Sequence, residues 1–141
     1  MPSRHVSLRM DQDAYERLAA ESRRNREPVS QLAKRLIEEG LRMAAHPGIV
    51  FRDGPTGRRA GLADGPDVWE VISVFPEWDP SWDLRSSETV GATSVVPFQI
   101  RIAQHYYAEY PEEIDERVRR NQEAWDRGYA EWLAKQPAQA K

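Results

Sequence analysis

Three polar side chains near the start of the chain, His5, Ser7 and Arg9, have types suited to reading the edges of nucleic-acid bases. Arg can donate two hydrogen bonds to guanine, Ser can donate or accept, and His can do either. They alternate with apolar residues, and alternate side chains of a strand share one face. The spacing therefore predicts a strand over residues 4–10 with one hydrogen-bonding face, although a solvated strand face has the same pattern.

The other face of this predicted strand is apolar, with Val6, Leu8 and Met10. Two helical patterns follow at once, so no second strand lies nearby along the chain. A lone strand cannot pair with itself. We therefore expect it to pair with the same segment of a second chain, forming a two-stranded ribbon of a kind that enters the major groove of DNA.

The two helical patterns have recognisable ends. Asp11 is a plausible N-cap for helix one, which closes on the basic run 23–26. Pro28 occupies the position of a first helical residue, and helix two carries apolar residues at i, i+3 and i+4 until His46-Pro47-Gly48 ends it. These elements form a predicted domain over residues 1–45.

The start of helix two is predicted to bind phosphate, because free amides at a helix N-terminus attract anions. Val29 and Ser30 supply amides, and Arg26 adds positive charge. Pro28 has no N–H, and the carboxylate of Glu27 would repel the same phosphate. Phosphate contacts position a protein on DNA without reading its sequence.

Residues 46–135 form a second predicted domain, followed by a frayed tail over 136–141. Residues 49–52 and 58–62 read as a hairpin, and short helices are expected over 68–75 and, weakly, near 84–90. Pro97 opens a helix to Tyr110, and Pro111 opens a last helix to about Lys135. The expected fold class is mainly α, with a short N-terminal strand and a small helical domain that carries a hairpin.

Two surfaces of the second domain are candidates for binding. Arg58, Arg59 and Arg101 could form a second DNA surface, although an ordinary exposed face on an acidic domain is the stronger interpretation. The last helix places Trp125, Tyr129 and Trp132 within eight residues. Aromatic anchors dominate protein interfaces, so this stripe could bind a partner or pack within its own domain or across a dimer.

Residues 4–10, 14–18 and 28–41 resemble the ribbon-helix-helix superfamily, and within it the CopG-like and VapB-like antitoxins. Residues 46–49, 54–59, 67–72 and 106–115 are similar to a small antitoxin-associated, helix-turn-helix-like module, from which residues 78–94 depart. The resemblance implies a homodimer, or a higher oligomer, that binds operator DNA through His5, Ser7 and Arg9. It also implies a cognate toxin as a further partner.

Composition argues against several other classes. There are no cysteines, so disulfides and thiolate metal sites are excluded. No long apolar run or signal segment is present, which predicts a cytoplasmic protein that does not enter a membrane. The three histidines are far apart, and no phosphate-binding glycine loop is found, so we expect no catalytic site, metal or cofactor.

The charge is uneven: residues 1–45 carry nine Lys/Arg against seven Asp/Glu, and residues 46–141 carry eleven against sixteen. Ordinary scatter also explains so small a difference. The sequence thus predicts a transcriptional repressor, with a type II antitoxin that represses its own operon as the leading form. A stand-alone regulator, or an interaction adaptor that uses the ribbon only to dimerise, remains the alternative.

Overall fold

A computed structural model describes residues 2–79, 88–90 and 93–137, and divides the chain into two compact units, residues 1–42 and 43–141. Helix is the main secondary structure, as the sequence predicts, with short antiparallel strands in the second unit. Residues 2–11 of the single chain form no strand, and the N-terminal strand and the dimer stay predictions.

The N-terminal part of the chain has no regular secondary structure over residues 2–11, then helix α1 at Gln12–Asn25 and helix α2 at Val29–Ala45. The tight turn between the helices is a Schellman motif: the N–H of Glu27 donates to the carbonyl of Ser22, and that of Arg26 to Arg23. Arg26 takes the left-handed conformation, φ 55°, that usually requires Gly. The hydroxyl of Ser22 also donates to the carbonyl of Glu27.

Within its described residues, the second unit contains two small antiparallel sheets and three helices. Strands β1 (Ile49–Arg52) and β2 (Arg59–Leu62) form a hairpin, and β3 (Glu88–Val90) pairs with β4 (Thr93–Val95). The helices are α3 (Val68–Val74), α4 (Pro97–Glu109) and α5 (Pro111–Lys135). Gly57, φ 105°, supplies the positive φ in the hairpin loop, where the turn residues predicted it.

The core of the second unit is formed where the hairpin meets α3, α4 and the start of α5. Tyr106 is its largest fully buried side chain, and its hydroxyl donates to Glu113 at 2.7 Å, so the buried polar atom has a partner. The buried members are Ile49, Ala60, Leu62, Val68, Val71, Ile72, Phe75, Val95, Ile100, Ala103, Tyr106 and Ile114. Val118, partly buried, also packs against this cluster.

Asp67, at the N-cap position of α3, fastens the hairpin to the helix. The β1–β2 register sets Arg52 directly opposite Arg59, and like charges in that position repel. The buried carboxylate of Asp67 accepts from Arg52 at 3.0 Å, from Arg59, and from the indole of Trp69 at 3.3 Å. One carboxylate therefore bridges a pair of opposed arginines and offsets part of their repulsion.

Glu70, in the first turn of α3, lies in an environment that disfavours its charged form. Burial, followed by repulsion from the Asp67 carboxylate, raises its pKa above the ordinary 4.5. A raised carboxyl pKa means that this group supports folding below its unfolded-state pKa. That support is lost as pH rises through the folded-state pKa.

We therefore expect Glu70→Gln to stabilise the second unit at pH 7, with the difference from wild type vanishing below pH ~4. Thermal unfolding across this pH range measures it. Glu77→Gln, which removes an exposed carboxyl, is the matched control. It should not stabilise the second unit at neutral pH. A Glu70→Gln chain less stable than wild type at neutral pH would contradict the argument.

Most predicted elements are confirmed: both N-terminal helices, the hairpin, and helices α3, α4 and α5 lie within one or two residues of their expected bounds. The helix expected near 84–90 is wrong over Glu88–Val90, which is a strand; residues 84–87 lie outside the described residues. In the predicted tail, Gln136 and Pro137 have left the helix, and residues 138–141 lie outside the described part.

Candidate nucleic-acid interface

The segment that carries the predicted base-contact residues has no regular secondary structure and is exposed. Residues 2–10 are all solvent-exposed, and no described residue pairs with them as a strand. The Nε2 of His5 lies 3.1 Å from the Oγ of Ser7, which places these two side chains on one side of the backbone. That arrangement agrees with the alternation expected of a strand.

The apolar side chains of the same segment are also exposed, with 72% of Val6, 66% of Leu8 and 47% of Met10 accessible to solvent. An isolated exposed Leu needs no explanation, but three exposed apolar side chains at alternating positions would give a strand formed here an uncovered apolar face. A strand with unpaired edges is a template for another strand.

Apolar side chains on the helices of the N-terminal unit are exposed as well. Leu36, Ile37 and Leu41 on α2 belong to the predicted apolar stripe, yet 43–64% of each is accessible to solvent. Tyr15 on α1 is 53% exposed, whereas Leu32 is fully buried. The stripe is therefore only partly used within one copy, and the remainder is available to a second.

The start of α2 has the features of an anion site except for one acidic neighbour. The carbonyl of Pro28 accepts from Gln31 and Leu32, as in any first turn, and within the described residues the amides of Val29 and Ser30 have no protein acceptor. Ser30 is exposed and Arg26 lies just before the helix. These three predicted phosphate contacts thus lie within five residues of one another.

The acidic neighbour is Glu27, whose charge the sequence alone predicts to repel a phosphate. In the structure its carboxylate is partly buried and forms an ion pair with Arg35, one and a half turns along α2. Asn25 also donates to it at 3.4 Å. Because its charge is compensated locally, Glu27 presents a much weaker field to an anion at the start of α2.

The predicted second DNA surface is engaged in contacts of its own unit. Arg59 is held by Asp67, and Arg58 forms a 3.2 Å ion pair with Asp53. Arg101 stacks on Trp78, with its guanidinium carbon 4.1 Å from the ring centroid. These contacts favour the alternative that the sequence left open, in which the three arginines belong to the fold of their own unit.

The predicted partner-binding residues on α5 are exposed. Trp125, Tyr129 and Trp132, here called the aromatic stripe, each have more than half of their surface accessible to solvent. The rings of Tyr129 and Trp132 stack with centroids 6.1 Å apart and planes at 17°. Within the described residues, the aromatic stripe is therefore not packed against its own unit, which was one of the alternatives expected from the sequence.

Two further features bear on function. Within the described residues, no three His, Cys, Asp or Glu side chains are grouped so that they could hold a metal ion. No helix in the same part of the chain is long and apolar enough to cross a bilayer.

One polar contact could not be predicted from the sequence, because its two residues are far apart along the chain. His46 was read only as a helix end, yet its Nε2 lies 2.5 Å from the carboxylate of Glu109, and its ring lies edge-on to Tyr106 and Tyr110. The contact joins the residues after α2 to the end of α4. Only the aromatic pattern of α4 could have suggested it.

Comparison with protein-family models, with curated proteins and with solved structures finds no match to this chain. Function is therefore inferred from the residues of this chain and their geometry.

Proposed function

We propose that this protein is a sequence-specific DNA-binding repressor, and that two copies pair their N-terminal segments into an antiparallel ribbon that lies in the major groove. The observation that carries the proposal is the exposed segment over residues 4–10, which alternates apolar and polar side chains and has no strand partner among the described residues. Such a segment has a face for a protein core and a face for bases, but lacks the strand that would complete it.

Pairing with a second copy accounts for the uncovered apolar face. An antiparallel pair satisfies the backbone N–H and C=O groups of both segments. Val6, Leu8 and Met10 of each copy then face the helices, where exposed apolar residues of α2 are available to cover them. Burying three such side chains per copy favours association by several kcal/mol, at about 1.5–3 kcal/mol for each fully buried side chain.

The opposite face of the ribbon would read the DNA. His5, Ser7 and Arg9 from two copies give six side chains with hydrogen-bonding capacity, and the major groove is wide enough for a two-stranded ribbon. Residues 2–10 carry Arg4 and Arg9 and no acidic residue, so this segment approaches phosphates without repulsion.

The start of α2 would fix the protein's position on the backbone. The amides of Val29 and Ser30 and the guanidinium of Arg26 supply hydrogen bonds and positive charge to a phosphate, while Arg35 compensates Glu27. Reading face and positioning site belong to the same small unit, so both can be tested on the full chain.

We expect Arg9→Ala to weaken binding to the chain's own upstream DNA about 10- to 100-fold relative to unrelated DNA, because one bidentate contact to guanine contributes roughly 1–3 kcal/mol of discrimination. A gel-shift titration with both DNAs measures the ratio. The salt concentration is kept fixed, because the contribution of phosphate contacts to binding changes steeply with salt.

The control is Arg24→Ala, which removes the same charge from an exposed helical position that is ion-paired with Glu21 at 2.8 Å. It should weaken binding to both DNAs slightly and leave the ratio of the two affinities unchanged. An Arg9→Ala chain that discriminates as well as wild type would remove base readout by this residue. A wild type that shifts no DNA at low salt would favour the adaptor alternative.

The family resemblance extends the proposal to a type II antitoxin that represses its own operon and neutralises a toxin. A small nuclease-like reading frame beside this one, whose product copurifies with the chain on coexpression, is the observation that supports this form. A repressor that binds its operator with no such neighbour is the stand-alone regulator.

A further inference from the structure

Helix α5 continues far beyond the core that its first turns help to build. Val118 is the last α5 residue packed against the buried cluster, and every side chain from Arg119 to Lys135 is exposed. These residues, here called the distal segment, extend about 25 Å at 1.5 Å per residue. A helix of 17 residues without tertiary contacts is marginal in water.

Local contacts give the distal segment only modest support. Arg119 pairs with Glu116 and with Glu123, and Gln122 donates to Asp126 at 3.0 Å. Such pairs, three or four residues apart on an exposed helix, contribute little individually. Gly128 lies in the middle of the segment, where it weakens the helix more than any residue except Pro. The distal segment is therefore a helix anchored only at its first end, with no packing partner among the described residues.

From Val118 into the distal segment, apolar and small residues and one Asn follow the spacing of a two-helix contact. Val118, Asn121, Trp125, Gly128 and Trp132 recur at alternating intervals of three and four, the spacing of positions that face a partner helix in a coiled coil. Two adjoining shallow grooves run along this face, one lined from Asn121 to Trp125 and the other from Ala124 to Trp132.

We propose that the occupant of this face is the distal segment of a second copy, packed antiparallel. A two-fold axis midway between positions 125 and 128 sets Trp125 of each copy opposite Gly128 of the other. In the same register Trp132 meets Asn121 of the second copy, and residues 119–134 overlap completely. Nothing lies within 4 Å of where a Gly128 Cβ would be, so the position offers open space for a large ring.

Charge favours another protein helix over a nucleic acid or a membrane surface. The distal segment carries four Lys/Arg against three Asp/Glu, and the face that would be buried carries no charge between Asn121 and Trp132. Binding to DNA or anionic lipid requires a strongly basic face. Antiparallel packing also sets the opposite ends of the two helix dipoles beside each other.

The available area fits a weak but specific pair. The aromatic stripe and Leu133 are each 50–69% exposed, which leaves on the order of 500 Å² to bury per copy, since an aromatic side chain covers 150–250 Å². Two copies together reach about 1,000 Å², the lower bound of specific interfaces. Because the interface is closed by a two-fold axis, each contact of this kind joins two copies only.

The test compares Trp125→Glu with Ala130→Glu, which adds the same charge to the opposite, exposed side of the helix. Both are made in the full chain with Leu8→Asp, so that ribbon pairing does not mask the α5 contact. Sedimentation equilibrium should give a self-association constant weakened about 100-fold or more by Trp125→Glu and unchanged by Ala130→Glu. Equal association by all three chains would overturn the proposal and leave the face to a different protein.

Gly128→Gln separates a role of residue 128 in the interface from a role in helix stability alone. Gln is a much better helix former than Gly, so circular dichroism should show equal or greater helix content. Self-association should nevertheless weaken about 10-fold or more, because the Gln side chain fills the space that Trp125 of the other copy would occupy. Tighter association together with higher helix content would contradict the proposed packing.

Disulfide trapping tests whether the two helices are antiparallel. The natural chain has no cysteine, so only the introduced cysteines can form a disulfide. Chains with Asn121→Cys and with Trp132→Cys, oxidised as a mixture, should form the mixed dimer. In the antiparallel register the same-position cysteines lie about 16 Å apart along the axis, at 1.5 Å per residue, so each chain alone should crosslink poorly. Efficient crosslinking of each chain with itself would show a parallel pair and overturn the proposal.

Discussion

Leu8→Asp is expected to abolish operator binding and to separate the N-terminal units, while each single copy stays folded. Leu8 is 66% exposed in one copy, so the new carboxylate costs the isolated chain little. In the paired ribbon the same position faces the apolar side, where an unpaired charge would be desolvated at a cost of several kcal/mol. We expect affinity for operator DNA to fall at least about 100-fold.

Ser7→Asp is the matched control for this prediction. It places the same charge one residue earlier, on the face that carries His5 and Arg9. Pairing should persist, because that face points away from the protein, whereas DNA binding should be lost by repulsion from phosphates. The two variants therefore separate pairing from DNA contact.

The measurements are sedimentation equilibrium and gel shift, with both variants also made in a Trp125→Glu chain so that α5 contacts do not hold copies together. If Leu8→Asp remained paired in that background, or bound the operator as wild type does, the ribbon would have no role. A Leu8→Asp chain that lost its helix content would show that residue 8 supports the fold of one copy.

The second large effect is expected from Asp67→Ala, which should destabilise the second unit by about 2–4 kcal/mol. Removing one partner of a buried ion pair leaves the other charge uncompensated. Here Arg52 and Arg59, opposed across the hairpin, lose their shared carboxylate, and Trp69 loses an acceptor. The estimate is at the lower end for buried pairs because both guanidinium groups keep some exposure to solvent.

Tryptophan fluorescence follows this change selectively, since all five tryptophans lie in the second unit. A loss of this size should lower its unfolding temperature by about 10 °C or more, at roughly 4–8 °C per kcal/mol for a domain of this size. Asp64→Ala removes an exposed carboxyl three residues earlier, and should leave the unfolding temperature nearly unchanged. Equal behaviour of the two variants would show that the arginines are satisfied without Asp67.

The helices could be predicted closely because their signals are local. Pro97 and Pro111 mark the first residues of α4 and α5, and the 3.6-residue apolar period runs through both. The pair β3 and β4 gave no such signal: each strand has three residues, too few for alternation to be distinguished from a turn or a short helix. That is why residues 88–90 were assigned to the wrong element.

The candidate site was predictable in part for the same reason. The alternation of residues 4–10 is local and reads directly from the sequence, and so does the Pro28 signal at the start of α2. Compensation of Glu27 by Arg35 depends on how the turn after α1 folds back, and the engagement of Arg59 by Asp67 depends on the hairpin register. Contacts of this kind follow from tertiary packing, which a single sequence does not reveal.

The opposed arginines of the hairpin also bear on the order of folding. A hairpin that closed by itself would set the charges of Arg52 and Arg59 side by side with nothing between them. The compensating carboxylate arrives only when the residues just before α3 reach the hairpin, where Gly61 and Asp67 form a backbone bridge. We therefore expect the hairpin and the start of α3 to form together, because neither piece alone offsets these charges.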